Sequence, residues 1–307
     1  MKILVNRQPL RNRPWGGGNL FITALCDILS SKGHSIVHSM SDDIDTIFMH
    51  DPRYSDLKIS INEILQYKNW KPNTKIIHRI NECDARKNTE GVDSMMIECS
   101  KFTDHTVFVS EWMKKYYFQK NWNCKNNSVI YNGVNLDHFS PREKINNGKI
   151  NIAAHHWSNN RLKGFDIYEK LDAFIEKNSD FTFTYIGRHN STFKNTKTIA
   201  PIHGIELGKE LSRYDVYISG SVYDPGPNHI LESLACNIPT YVVSNGGGAV
   251  EFAGESHSYK TFEELVSILK TKNYDNNKYK PFSWEECIER YSKVLETITE
   301  IENKDTK

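Results

Sequence analysis

The chain has 307 residues, is 38% hydrophobic and 11% aromatic, and carries a formal net charge of +1. This excludes a disordered chain and leaves no global electrostatic case for nucleic acid as a partner. The length suits two domains better than one. The six cysteines, Cys26, Cys83, Cys99, Cys124, Cys236 and Cys287, are scattered without a C-x-x-C pair. They are expected to be buried reduced thiols in a cytosol-like compartment, rather than a disulfide framework or a zinc site. No apolar run approaches the ~20 residues that span a bilayer. Met1 leads directly into "KILV", which reads as a strand and not as a secretion signal.

In chain order, "KILV" (Lys2 to Val5) is the first strand. The loop "RNRPWGGGNLF" follows it and opens the helix "NLFITALCDILSSKG". Leu20, Ala24, Leu25 and Ile28 recur at helical spacing, and Gly33 stands where a helix-ending glycine belongs. Gly16, Gly17 and Gly18 at a helix start favour close approach of an anion to the backbone; a plain tight turn is the alternative. The loop is not G-x-G-x-x-G, so a dinucleotide is not indicated. "DTIFMH", "TKIIHRI" and "HTVFVS" read as further strands. His78, near the end of the third of these four strands, is a candidate for a substrate-facing histidine or a structural one. Ser110 reads as the N-cap of "EWMKKYYFQKNW". That helix mixes Lys114, Lys115 and Lys120 with aromatics, which suits either an anionic membrane surface or an ordinary half-packed helix.

"NLDHFSPREKINNGK" carries Pro141 and Gly148 and reads as a linker. A second series of strand and helix patterns follows it: "KINIAAHH", "GFDIYEKLDAFIEKN", "FTFTYIG", "DVYISG", "NHILESLAC" and "PTYVVS". Such alternation argues for βαβ units and parallel sheets, with ligands outside the carboxyl ends of the strands. Two such domains imply a cleft between them. Lys163, before Gly164 at a helix start, suits a diphosphate or is a solvated loop lysine, and Arg161 stands close enough to assist it. "YDPGPNHILESLACNIPT" sets Asp224 on a loop stiffened by two prolines. Gly226, Pro227, Asn228 and His229 lead into a helix, and Glu232 lies a turn inside it, between Leu231 and Leu234. A carboxylate there needs hydrogen-bond donors if it is buried, such as a ribose diol, or else faces water. "SNGGGAVEF" repeats the glycine-then-acid arrangement at Glu251. No Asp-x-Asp site is apparent, so no metal is expected. "SWEECIERYSKVLETITEIENKDTK" is a long terminal helix.

Taken together, the Gly-rich loop, "VSEWM…SVIYNGVNLDHFSP", the Lys163-Gly164 pair, "DVYISGSVYDPGPNHILESLACNIPTYVVSNGGGAVE" and "FSWEECIERY" resemble the family 4 glycosyltransferases over nearly the whole chain. The resemblance implies an α/β GT-B fold, with two Rossmann-like domains facing a central cleft. Residues 1–143 would be the acceptor-side domain and residues 144–282 the nucleotide-sugar domain. Residues 283–307 would form a helix crossing back to the first. It implies retaining transfer of a sugar from a UDP- or GDP-linked donor, with no required cofactor, in glycan biosynthesis. In the family's E-x7-E motif the first acid holds the sugar and the second the ribose. Asp224 stands for the first and Glu232 is the second. Lys163 matches the diphosphate lysine; the family's arginine upstream of it is absent, which leaves Arg161 as the nearby candidate. His78 matches the family's N-terminal-domain histidine, and Gly16 to Gly18 border acceptor and phosphate. Gly226 to His229 and Glu251 complete the donor side. Expected partners are the nucleotide-sugar donor and a sugar or lipid-linked acceptor, with no nucleic acid. Expected localisation is cytoplasmic, with weak peripheral membrane contact. The competing expectations are a non-catalytic nucleotide- or sugar-binding module of the same fold and another GT-B enzyme such as an epimerase.

Overall fold

A computed structural model describes residues 1–11, 16–53, 55 and 58–305. The chain divides into two compact units. The first comprises Met1–Asp84, Asn88–Asn132 and Trp284–Lys307, and the second Ala85–Lys87 and Gly133–Ser283. Among the described residues no helix is long and apolar enough to cross a membrane. All six cysteines are buried and free.

The first unit is built on strands β1 (Lys2–Val5), β2 (Ser35–Val37), β3 (Thr46–Met49), β4 (Lys75–Ile80), β5 (His105–Phe108) and β6 (Asn127–Val129). They form one parallel sheet in the order β2-β1-β3-β4-β5-β6. The inner strands are buried on both faces, which is why they read as unbroken apolar runs such as "KILV" and "TIFM". Leu4, Ile47, Met49, Ile64, Ile76 and Cys99 make one of its buried clusters. The helix Gly17–Ser31 follows β1. The terminal helix Trp284–Asp305 packs on it, with the Tyr291 ring 5.0 Å from Phe21.

The second unit carries β7 (Ile150–His156), β8 (Phe181–Gly187), β9 (Lys197–Ile199), β10 (Val216–Ser219), β11 (Thr240–Val243) and β12 (Ser258–Tyr259). Its parallel sheet runs β12-β11-β10-β7-β8-β9. Counted within the unit this is the doubly wound order 3-2-1-4-5-6. Tyr168, Tyr185, Phe165 and Phe183 fill the core under it, at ring separations of 5.4–5.9 Å.

The chain enters the second unit after Asn132, earlier than the boundary read from the linker composition. Backbone bonds explain this. Val134 N–H donates to Phe282 O at 3.0 Å, and Ile145 N–H donates to Arg213 O at 2.9 Å, so the polar linker is stitched to the second unit.

Candidate active site

In the second unit β7 and β10 are neighbours. From β7 the chain moves on to β8 on one side, and from β10 it moves on to β11 on the other. A doubly wound sheet opens a crevice where the winding reverses, at the carboxyl ends of those two strands. The segments after β7 and β10 are those that carry Lys163 and Asp224.

After β7, Asn160 caps a short 3-10 turn, Arg161–Lys163, by accepting from Leu162 N–H at 2.9 Å. Gly164 ends the turn at φ +98°, and a Cβ there would stand 2.5 Å from the Gly220 backbone. Glycine is therefore required at this point, and the close approach presses the Lys163 turn against the segment leaving β10. Val222 N–H donates to Leu162 O at 3.0 Å and holds the two together. As a result Lys163 Nζ lies 2.5 Å from Asp224 Oδ2. Ser221 Oγ–H donates to the same carboxylate oxygen at 3.3 Å. Burial alone would raise the Asp224 carboxyl, but the positive charges of Lys163 and then Arg86 outweigh it and hold the group below the usual carboxylate range.

The glycine run of "SNGGGAVEF" clasps the Asp224 loop. Asp224 N–H donates to Gly246 O at 3.1 Å, and Gly248 N–H donates to Asp224 O at 2.8 Å. Gly247 has φ +70°, and a Cβ there would meet Asp224 O at 2.7 Å. Pro227 then caps the helix Asn228–Ala235, so Asn228 and His229 lie in its first turn. Glu251 is half-buried on the short helix Ala249–Ala253.

Glu232 is 8% exposed. Its Oε2 is 2.7 Å from His155 Nε2, and His155 Nδ1 is 3.0 Å from the Tyr217 hydroxyl. His155 and His156 close β7. His156 Nε2 lies 2.6 Å from the Tyr168 hydroxyl, and His229 Nε2 lies 2.9 Å from Ser219 Oγ. The three imidazoles form a cluster, with His156 and His229 ring centres 4.4 Å apart and His155 and His229 6.1 Å apart. Burial holds His156 and His229 well below the ordinary histidine pKa, and the neighbouring Lys163 acts in the same direction. His156 and His229 are therefore neutral at pH 7; the cluster reaches Glu232 through His155 and feels the Lys163 and Asp224 charges at His229. Sequence reasoning passed over His155, His156 and Tyr217. The signal was the adjacent pair "HH" at the carboxyl end of a strand.

Two expected residues have surroundings other than those foreseen. Arg161 was expected to assist Lys163, but its exposed guanidinium pairs with Asp166 and with Glu169, the latter through two bonds of 2.7 Å. His78 was expected at a reacting face. It is fully buried in β4, and among the described residues neither ring nitrogen has a hydrogen-bond partner. Burial lowers its pKa to about 3, so it is a neutral core residue.

The first unit has its own winding reversal, between β1 and β3. Gly16 caps the helix that follows β1, and Gly18 stands beside the His50 and Asn81 side chains. Residues 12–15 of that loop lie outside the described residues. His50 is buried, stacks on Phe21 at 5.9 Å and has a depressed pKa, first through burial and then through the nearby Arg79 charge. Arg79 itself lies over the Phe21 ring at 3.9 Å and donates to Asn132 Oδ1 at 2.7 Å.

No family profile and no curated protein sequence matches the chain. Solved structures do. Sucrose-phosphate synthase from Thermosynechococcus elongatus is similar at TM-score 0.70 and 13% identity, over 97% of this chain and 98% of the other. Anabaena HepE, solved with UDP and glucose, is similar at TM-score 0.68 and 12% identity, over 96% and 99%. WaaG, a glycosyltransferase involved in lipopolysaccharide biosynthesis, is similar at TM-score 0.60 and 11% identity, over 98% of both chains. The two doubly wound sheets are those of the GT-B glycosyltransferases, and this chain has the GT-B fold.

Proposed function

We propose that this protein is a retaining glycosyltransferase. It moves a hexosyl or related sugar from a UDP- or GDP-linked donor to a sugar or lipid-linked acceptor. The observation that carries the reading is the Lys163–Asp224 pair at the winding reversal of the second sheet, with Glu232 linked to it through the histidine cluster. A buried ion pair contributes little stability over a well-packed apolar pair. Its position at a strand-end crevice is then best explained by ligand chemistry. Structures of the same fold were solved with UDP and glucose, with UDP-glucose, and with UDP and GlcNAc, which supports a nucleotide-sugar as donor.

In this reading Glu232 accepts from the ribose hydroxyls, and Lys163 neutralises the diphosphate. Asp224 and the Gly226–His229 segment hold the transferred sugar, and Glu251 borders it. The positive end of the helix Asn228–Ala235 faces the leaving diphosphate. Lys163 carries the diphosphate charge without Arg161. Residues Gly16 to Gly18 border the acceptor, and the first unit supplies the acceptor side. Catalysis is mainly positioning plus stabilisation of the leaving group, and requires no metal. The protein acts in the cytoplasm. Phe118, 46% exposed on a helix with Lys114 and Lys115, supports weak contact with an anionic membrane surface.

The test is incubation with UDP- and GDP-sugars while free sugar and nucleoside diphosphate are measured. Slow donor hydrolysis supports the enzyme. Tight nucleotide binding with no hydrolysis or transfer to any acceptor would favour the non-catalytic module.

A further inference from the structure

Glu232 has two carboxylate oxygens in different circumstances. Oε2 is bonded to His155, and among the described residues Oε1 has no hydrogen-bond partner and is not sealed from solvent. His155 is fixed at its other end. Its Nδ1 faces the Tyr217 hydroxyl at 3.0 Å, and its own backbone N–H donates to that hydroxyl at 3.1 Å. Tyr217 is fully buried in β10, and His155 is 6% exposed at the end of β7. A carboxylate oxygen accepts, so the imidazole donates its Nε2–H to Glu232 while Nδ1 faces the Tyr217 hydroxyl. A carboxylate tied at one oxygen loses rotational freedom before any ligand arrives, and the open oxygen is aimed in advance.

We propose that His155 is the positioning residue for the ribose-binding carboxylate. Through the chain Tyr217–His155–Glu232 it presents Glu232 Oε1 to the nucleotide's ribose hydroxyls. The inference rests on the reading of Glu232 as the ribose ligand. It extends that reading by giving the recognition to three residues on three different elements.

The experiment is calorimetric titration of the full chain with UDP and GDP and with their 2′,3′-dideoxy forms. The ratio of dideoxy to ribo Kd isolates the ribose hydroxyls. Damage to the fold lowers both affinities together and leaves the ratio alone. In the wild type the ratio should be about ten- to a hundredfold, the range for charge-assisted hydrogen bonds. His155→Leu should bring it towards one, and His155→Gln, whose amide N–H reaches the same place, should restore most of it. Should His155→Leu not fold, Tyr217→Phe serves, and its ratio should fall severalfold. A wild-type ratio retained in His155→Leu or in Tyr217→Phe overturns the proposal while nucleotide binding stands. If neither UDP nor GDP binds the wild type, the functional reading fails, and this inference fails with it.

Discussion

The Lys163 ammonium and the Asp224 carboxylate are 61 residues apart in sequence and 2.5 Å apart in space, and both side chains are largely buried. Lys163 is the hydrogen-bonded counterion of Asp224. Asp224→Asn removes the anion and leaves the ammonium facing a neutral amide. Breaking a buried pair costs up to 3–5 kcal/mol, and roughly the lower end is expected because Lys163 can swing towards water. A nucleoside diphosphate supplies the missing charge. Its thermal stabilisation should therefore be larger in Asp224→Asn than in wild type, while sugar transfer falls ~100-fold or more. Normal transfer rates in this variant would remove Asp224 from the donor site.

Glu232→Ala should weaken nucleoside diphosphate binding by about ten- to a hundredfold, which corresponds to 1.5–3 kcal/mol for a charged hydrogen-bond acceptor. It should also leave His155 Nε2 without its acceptor, since Glu232 is the partner of that nitrogen. Unchanged calorimetric affinity for the preferred diphosphate would show that the ribose lies elsewhere.

Gly164→Ala should act on both stability and binding. The residue sits at φ +98°, and the new methyl would meet the Gly220 backbone at 2.5 Å. Left-handed backbone costs a non-glycine residue about 1–2 kcal/mol, and the clash adds to it. Because the same contact seats the Lys163 turn, diphosphate affinity should fall more than nucleoside affinity. Urea unfolding and paired titrations read the two effects, and an alanine variant of wild-type stability would contradict the close approach.

Stability should decline on acidification from pH 8 to pH 5. His50, His78, His156 and His229 have pKa values depressed in the folded protein, in each case first through burial. The unfolded histidines titrate near 6.5 and bind more protons below it. Stability is therefore full above about pH 6.5 and is lost as pH falls, each histidine adding up to ~1.4 kcal/mol per pH unit. Asp224, also depressed, adds its loss only below about pH 4. His78→Leu isolates one contribution. It removes two buried nitrogens that lack partners among the described residues, so it should be neutral or stabilising at pH 8 and should flatten the acid limb. A large loss of transfer activity in His78→Leu would reverse its assignment to the core.

Activity should survive EDTA. In the proposed mechanism Lys163 and the helix Asn228–Ala235 supply the positive potential at the leaving diphosphate. Complete loss, restored by Mg²⁺ or Mn²⁺, would show that a cation takes part.

The strands and the site loops were legible because their signals are local. Parallel strands buried on both faces appear as apolar runs, and Ser110 did cap its helix, accepting from Met113 N–H at 3.0 Å. The helix Ile61–Trp70 was also readable from its capping box, Ser60 to Glu63, but was passed over. The strands β9 and β12 have three and two residues, too few to show a period, and exist because a neighbouring strand offers bonds to pair with. Arg161 could have been assigned locally, since Asp166 and Glu169 follow it on the next helix.

The sequence by itself determined the class of architecture and brought Lys163, Asp224 and Glu232 forward, because turn chemistry and strand-to-helix order are written in short windows. The tertiary structure alone decided what those groups face. Whether His78 looked into a core or towards a ligand depended on what packs over β4, which no pattern along the strand reports. The pairing of Glu232 with His155 and of Lys163 with Asp224 depended on β7 lying beside β10. Strand adjacency joins segments some 60 residues apart, and it is fixed by packing of the whole sheet rather than by any local propensity.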